Sequence, residues 1–129
     1  MRILLDTHAL LWAVAYDELL SPRACRLIES RSNDVFVSAV SAWEIATKHR
    51  LGKLPQAQAL VDDFISVIES AGYLHLPISL EQALRAGRLT ANHKDPFDRM
   101  LAAQAIHEDL LLLSNDSQLD VFGVRREWE

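Results

Sequence analysis

The sequence predicts an α/β fold in which helices cover both faces of a parallel sheet of four to five strands. Two observations support this prediction. Short apolar runs alternate along the chain with segments of helical periodicity, a pattern typical of parallel strands joined by helical crossovers. The 129 residues contain no repeat, low-complexity tract or long linker, so we expect a single domain that spans residues 1–129.

The strand predictions rest on the apolar runs. Residues 3–5, 35–37, 73–76 and 110–113 are mostly apolar and are bounded by polar or turn-forming residues, as buried strands are. We expect a fifth, short strand near residues 122–124.

The helix predictions combine periodicity with capping signals. Helices are predicted over residues 8–16, 22–30, 39–50, 57–71 and 96–107, and another begins after Ser79. Ser21 and Asp95 each precede a proline, which is favoured at the first helical position. Ser79 and Gln82 have capping-box spacing. Apolar residues recur at helical spacing throughout 57–71, so we expect one continuous helix there.

Composition excludes several classes of protein. The single cysteine, Cys25, cannot form an internal disulfide, the longest apolar run is too short to span a bilayer, and no signal peptide is visible. We therefore expect a cytoplasmic protein with no membrane partner. The net charge of −5 argues against a generic nucleic-acid-binding surface, but it is compatible with an enzyme whose acidic site holds cations.

Four acidic residues are predicted to meet at one edge of the sheet. Asp6 ends the first strand and Asp116 follows the fourth, while Glu44 and Asp98 lie on helices that adjoin the second and fourth strands. Sites in such sheets form beyond the C-terminal ends of the strands. Clustered carboxylates repel one another unless cations relieve them. One or two ions such as Mg²⁺ could bind them, activate a water molecule and stabilise the leaving oxygen of a phosphoryl displacement.

Each acid also has a purely structural explanation. Asp6 fits the N-cap of the following helix equally well. Glu44 has Lys48 four residues later, which is the spacing of an ordinary ion pair, and Asp116 lies in a turn-forming segment. Asp98 lies on the same face of its helix as apolar residues, where a buried carboxylate needs a compensating partner. The structural explanation is that acids are favoured in the first turn of a helix. The joint placement of the acids, rather than any one of them, favours a site.

Other chemistries find less support in the sequence. The five histidines lack zinc-ligand spacing, the four glycines do not cluster into a phosphate-binding loop, and no nucleophile-elbow motif is present. Trp12, Trp43 and Trp128 are interpreted as core or interface residues rather than as base-stacking platforms.

Four segments of the chain resemble the PIN-domain family. They are residues 5–12 (LDTHALLW), 37–46 (VSAVSAWEIA) together with Lys48 and 51–54 (LGKL), 93–105 (HKDPFDRMLAAQA), and 112–116 (LLSND). The segments occur in the family's order and extend over nearly the whole chain. The resemblance implies a three-layer α/β/α sandwich that binds Mg²⁺ or Mn²⁺ and cleaves RNA. Within the family it points to a VapC-type toxin, usually dimeric, that a cognate antitoxin protein inhibits.

The resemblance also implies roles for individual residues. It assigns Asp6, Glu44 and Asp98 as the core metal-binding acids and Asp116 as the fourth acid. Asp95 ranks behind them as a supporting residue, and its expected local role is to cap the helix that Pro96 begins.

Further residues are expected around the acids. Ser38 and Ser114 are assigned supporting roles, and Ser114 stands where the family often has threonine. Four basic residues are candidate contacts to RNA phosphates, with solvated charges at helix ends as the alternative: Arg99, Lys48, Arg50 and Lys53.

The expected reaction is hydrolysis of RNA that leaves a 5′-phosphate and a 3′-hydroxyl. Two alternatives stay open: a housekeeping RNA-processing or DNA-directed nuclease with the same acids, and a non-catalytic protein-binding module. Residues 8–20 and 22–30 carry more apolar side chains than one buried helix face needs. We expect the antitoxin to bind there, unless the domain's own core uses these side chains.

Overall fold

A computed structural model describes residues 1–129, which form five strands, seven α-helices and three short 3₁₀ helices. The strands are β1 (Arg2–Leu5), β2 (Asp34–Ser38), β3 (Leu74–Leu76), β4 (Leu111–Leu113) and β5 (Arg126–Glu127). The helices are α1 (Thr7–Ala15), α2 (Pro22–Glu29), α3 (Ala39–Arg50), α4 (Gln58–Asp62), α5 (Phe64–Ser70), α6 (Leu80–Arg88) and α7 (Pro96–His107). The 3₁₀ helices are Asp17–Leu19, Pro55–Ala57 and Ser117–Phe122. None of the helices combines the length and the apolar character needed to cross a bilayer.

All five strands are parallel and lie in the order β3-β2-β1-β4-β5. The first strand is therefore central, and Ile3 pairs with Val35 on one side and with Leu111 on the other. The predicted parallel sheet with helices on both faces is confirmed. Because the strands run in one direction, the residues that follow β1, β2 and β4 lie at the same edge of the sheet.

An apolar core lies on each face of the sheet. Ile3 and Leu5 belong to one core, and Leu4 between them belongs to the other. This alternation follows from the two-residue period of a strand. Because both faces are buried, the strand is continuously apolar, which explains why a short apolar run predicts it.

Most helices begin within one residue of their predicted positions, and a capping side chain lies at the start of each of these helices. The Ser21 hydroxyl accepts a hydrogen bond from the Ala24 N–H at the start of α2. Ser79 and Gln82 form the predicted capping box, with both hydrogen bonds at 3.1 Å. Helices α3 and α7 have the predicted bounds.

Two predictions about local structure are wrong. The single helix expected over 57–71 is interrupted at Asp63, where the backbone leaves the helical region at φ −141° and ψ 41°. Consecutive aspartates at positions 62 and 63 have poor helix propensity, and the break leaves Ile65 64% exposed. The fifth strand is also misplaced, since Phe122 ends a 3₁₀ helix and Gly123 then adopts the left-handed conformation.

Candidate functional site

The Asp6 side chain lies directly after β1 and is buried, with 7% of the residue exposed. Its Oδ1 accepts a 2.7 Å hydrogen bond from the Ala9 N–H, so it caps α1. Burial, the largest cause, raises the pKa of Asp6 to about 6, and the charge of Asp98 adds to the rise. Hydrogen bonds from Ser114 and Ala9 and the charge of His8 limit it. Asp6 is therefore both a helix cap and a buried carboxylate that a proton or a cation would stabilise.

The Glu44 side chain of α3 is also buried, with 3% of the residue exposed. Its Oε1 accepts a 2.6 Å hydrogen bond from the Thr7 hydroxyl, and its Oε2 forms an ion pair with Lys48 Nζ. The ion pair that the spacing of Glu44 and Lys48 predicts is therefore present. Because the Glu44 carboxylate is buried, its negative charge would be destabilising without a partner, and the Lys48 ammonium group compensates it.

Two aspartates begin α7 and have different surroundings. Asp95 Oδ1 accepts hydrogen bonds from the N–H groups of Phe97 and Asp98, which confirms its predicted role as an N-cap. Asp98 Oδ2 lies 2.9 Å from Nε2 of His93. Burial raises the pKa of Asp98, as do the charges of Asp95 and Glu44, whereas the contact with His93 lowers it. Asp98 is thus a half-buried acid close to other acids.

The fourth acid, Asp116, lies three residues beyond β4. Its Oδ1 accepts a hydrogen bond from the Gln118 N–H, and its own N–H donates to the buried Ser114 hydroxyl. Asp116 lines an open cleft together with Asp6, His8, Trp12 and Asn115. Two of the predicted acids are therefore reached from the same cleft.

The four acids are neighbours, although their side chains do not converge on a single metal-binding position. The charge of Asp98 acts on Asp6, that of Glu44 acts on Asp98, and Asp116 shares a cleft with Asp6. No three His, Cys, Asp or Glu side chains converge closely enough to hold one ion in this arrangement. By donor chemistry the acids fit a hard divalent cation, because Mg²⁺ prefers carboxylate oxygens and burial disfavours the free anions.

A model of the PIN-domain family matches residues 3–124. The chain belongs to the PIN-domain family. The matched region includes all four segments on which the sequence-based resemblance rests, so that resemblance is confirmed. No curated protein sequence matches this PIN domain.

Several solved structures share the fold over almost the entire chain. VapBC2 from Rickettsia felis, bound to a DNA fragment from its promoter, is 17% identical with a TM-score of 0.69, and the match covers 100% of both chains. DNA-bound VapBC from Salmonella typhimurium is 20% identical with a TM-score of 0.69 and coverage of 98% and 97%. FitAcB from Neisseria gonorrhoeae is 19% identical with a TM-score of 0.65 and coverage of 96% and 95%. At these identities the matches establish the fold.

Arg99 in this PIN domain requires a correction to the sequence-based assignment. All five of its N–H donors are directed at backbone carbonyl groups, which belong to Ala86, Gly87, Leu89, Ala91 and His93. A guanidinium group has no further donor to offer. Arg99 therefore holds the segment between α6 and α7 in place and is not a free contact for an RNA phosphate.

The other basic candidates differ in their availability. Lys48 is engaged with Glu44, whereas Arg50 and Lys53 are exposed at the end of α3 and form no ion pair. Ser38 caps α3 through the Val40 N–H and donates a hydrogen bond to Gln104. Arg50 and Lys53 thus remain candidates for contacts to a polyanion.

Two residues of the site escaped the sequence analysis. His93 contacts Asp98, and the Thr7 hydroxyl contacts Glu44. His93 lies on an irregular segment, so no periodic pattern indicates its direction. Thr7 directly follows Asp6, and its contact depends on how α1 and α3 pack. Only the tertiary structure could reveal either contact.

We expect the Asp6→Asn variant to be more stable than the parent protein in the absence of metal at pH 7. The pKa of Asp6 is about 6 in the folded state, above its ordinary value of 3.8. Well below pH 3.8 both the folded and the unfolded state are protonated, and Asp6 costs no stability. Between pH 3.8 and 6 the unfolded chain releases this proton while the folded protein keeps it, so the free energy of unfolding falls by about 3 kcal/mol and then levels off.

Thermal melts of chelator-treated protein between pH 4 and pH 7.5 test this expectation. Asparagine keeps the cap on α1 as well as aspartate does, so the advantage of the variant should grow from about pH 4 to about pH 6 and stay constant at higher pH. A variant less stable than the parent at pH 7.5 would show that Asp6 does not carry an unfavourable buried charge.

Proposed function

We propose that this PIN domain is a metal-dependent endoribonuclease, the toxin of a toxin–antitoxin pair. The observation that supports the proposal is that acids from four separate segments lie near the C-terminal edge of a parallel sheet. Burial and mutual repulsion raise the pKa values of two of them, Asp6 and Asp98. Such perturbed groups are characteristic of functional sites.

The proposed cofactor is one or two Mg²⁺ or Mn²⁺ ions. Asp6, Asp98 and Asp116 would contribute carboxylate oxygens, and Glu44 would exchange the Lys48 ammonium group for a metal ion. A divalent cation in this position would supply the positive charge that activates water and stabilises the leaving oxygen of the RNA phosphodiester. The fold keeps the carboxylates partly shielded from water, which strengthens their electrostatic attraction for a cation.

Incubation of the purified protein with total cellular RNA tests the function. With Mn²⁺ we expect discrete new ends that carry a 5′-phosphate and a 3′-hydroxyl, and with chelator we expect none. Single-stranded and duplex DNA are the matched controls. Cleavage that persists in chelator would refute metal dependence, and cleavage of DNA alone would favour a DNA-directed nuclease.

The proposed partner is a cognate antitoxin protein. Two of the solved structures that share the fold are described as VapBC bound to DNA. Leu10 is fully buried in this chain's own core, whereas Trp12, Val14 and Tyr16 line an open apolar groove. The opposite wall of the groove is formed by the following residues: Leu54, Ala57, Leu60 and Val67. An amphipathic helix suits such a groove.

Hydrogen exchange with and without the antitoxin tests this placement. We expect slower exchange in α1 and in the segment from residue 54 to residue 67, because the bound helix would cover both walls of the groove. Exchange in the outer helix α6 should not change. Protection confined to other elements would refute the placement of the antitoxin, while the nuclease proposal would stand.

A homodimer completes the proposal. Leu80 and Leu84 lie one helical turn apart on α6 and are 86% and 64% exposed. Exposed apolar residues that occur together favour association between proteins. Sedimentation of the purified chain at several concentrations should show a dimer, and a monomer at all concentrations would refute it.

A further inference from the structure

Trp43 is a large aromatic side chain that the fold leaves 60% exposed. Its ring contacts the ring of Phe97 almost perpendicularly, with centroids 4.9 Å apart and an angle of 76° between the planes. This perpendicular contact holds the indole without covering both of its faces. Trp128 is buried in the core, and Trp12, which lines the cleft beside Asp6, packs against it with centroids 5.6 Å apart.

The aromatic pair lies at the border of the acidic cluster. Trp43 directly precedes Glu44 on α3, and Phe97 directly precedes Asp98 on α7. The two helices contact each other, and the charge of Glu44 acts on Asp98. An exposed aromatic surface therefore lies beside the proposed reaction centre and is held by the same two helices that carry the acids.

Electrostatics makes such a surface valuable to an enzyme that binds RNA. The chain has a net charge of −5, which opposes the approach of a polyanion. Two of the four basic residues near the acids are already engaged, because Arg99 is bound to backbone carbonyls and Lys48 to Glu44. Base stacking does not depend on charge and contributes about 1–3 kcal/mol per base.

We infer that Trp43, supported by Phe97, stacks on a base of the RNA strand next to the scissile phosphate. This inference rests on the proposed ribonuclease function and replaces the sequence-based interpretation of Trp43 as a packing residue. Stacking accepts every base because each has a π face. Trp43 therefore positions the strand and does not select a sequence.

The test measures RNA affinity in the Asp98→Asn background with Mn²⁺ present, using a fluorescently labelled single-stranded RNA. We expect Trp43→Leu to weaken binding about tenfold, within the range that one stacked base supplies. Trp43→Phe should recover part of the loss. Leu74→Ala is the matched control because Leu74 is 44% exposed at the start of β3, at the end of the strands opposite to the acids, and it should leave affinity unchanged.

RNAs with a single abasic site at successive positions make the test specific for stacking. They keep every phosphate, so contacts to basic residues are retained. One abasic position should weaken binding to the parent about as much as Trp43→Leu does, and the two losses should not add. If Trp43→Leu has unchanged affinity, or weakens intact and all abasic RNAs equally, the inference is wrong.

Two further outcomes separate this inference from the proposed function. If the otherwise unmodified protein cleaves RNA and Trp43→Leu leaves KM unchanged, only the stacking role is refuted. If the unmodified protein neither binds nor cleaves RNA, both are refuted. If Trp43→Leu converts a dimer to a monomer while RNA affinity stays the same, Trp43 is an interface residue.

Discussion

Replacement of Asp98 by asparagine should reduce RNA cleavage by about a hundredfold or more without unfolding the protein. The substitution removes a charge that is proposed to bind the metal ion, and metal stabilisation of the transition state is worth several kcal/mol. It also relieves repulsion from Asp6 and Glu44, so the thermal stability should not fall. Asp6→Asn and Glu44→Gln should have comparable effects on cleavage. The measurement is the initial rate of cleavage with Mn²⁺, alongside a thermal melt of each variant.

Asp95→Asn is the matched control, since it lies on the same helix turn and removes the same charge. The Asp95 carboxylate is used for the N-cap of α7, a role that asparagine also fulfils. We expect its cleavage rate to stay within a fewfold of the parent rate. If Asp98→Asn retains parental activity, Asp98 does not belong to the metal site.

Arg99→Lys should cause the largest loss of stability of any single charge-conserving substitution in the chain. Lysine keeps the positive charge but cannot reach five carbonyl groups with the planar geometry of a guanidinium. Several backbone carbonyls between α6 and α7 would lose their charged donor, and we expect a loss of about 3 kcal/mol in the free energy of unfolding. Denaturant titration measures this loss directly.

Arg88→Lys provides the control for Arg99→Lys. Arg88 is exposed near the end of α6 and takes part in none of the chain's salt bridges, so its replacement should change stability by less than about 0.5 kcal/mol. If Arg99→Lys were equally neutral, the five hydrogen bonds of Arg99 would not hold this segment.

The sequence predicts those elements whose signals are local. Helix α7 begins at Asp95–Pro96, where the cap and the proline act within one turn, and its predicted bounds agree with the structure. The apolar spacing of residues 57–71 predicts one continuous helix, and the poor helix propensity of Asp62 and Asp63 is too weak a signal to locate the break. Strand β5 has only two residues and is defined by pairing with β4, so a residue pattern could not locate it.

The same distinction applies to the site. Strand ends and topology place Asp6 and Asp116 at one edge of the sheet, and both line one cleft. Sequence spacing could not show that Arg99 donates all its hydrogen bonds to backbone carbonyl groups, because these partners depend on the path of the backbone between α6 and α7. The sequence also could not show that Trp43 is exposed, because an aromatic residue on a helix can lie either in the core or at the surface.

The most direct test of a metal site at these acids is the thermal stability of chelator-treated protein with and without Mn²⁺. A ligand that binds only the folded state raises its stability, by about 2.7 kcal/mol at a concentration of 100 times Kd. The parent protein should therefore melt at a higher temperature with Mn²⁺, and Asp6→Asn and Asp98→Asn should lose most of this gain. A parent melting temperature that Mn²⁺ leaves unchanged, or an equal rise in all three proteins, would contradict a metal site formed by Asp6 and Asp98.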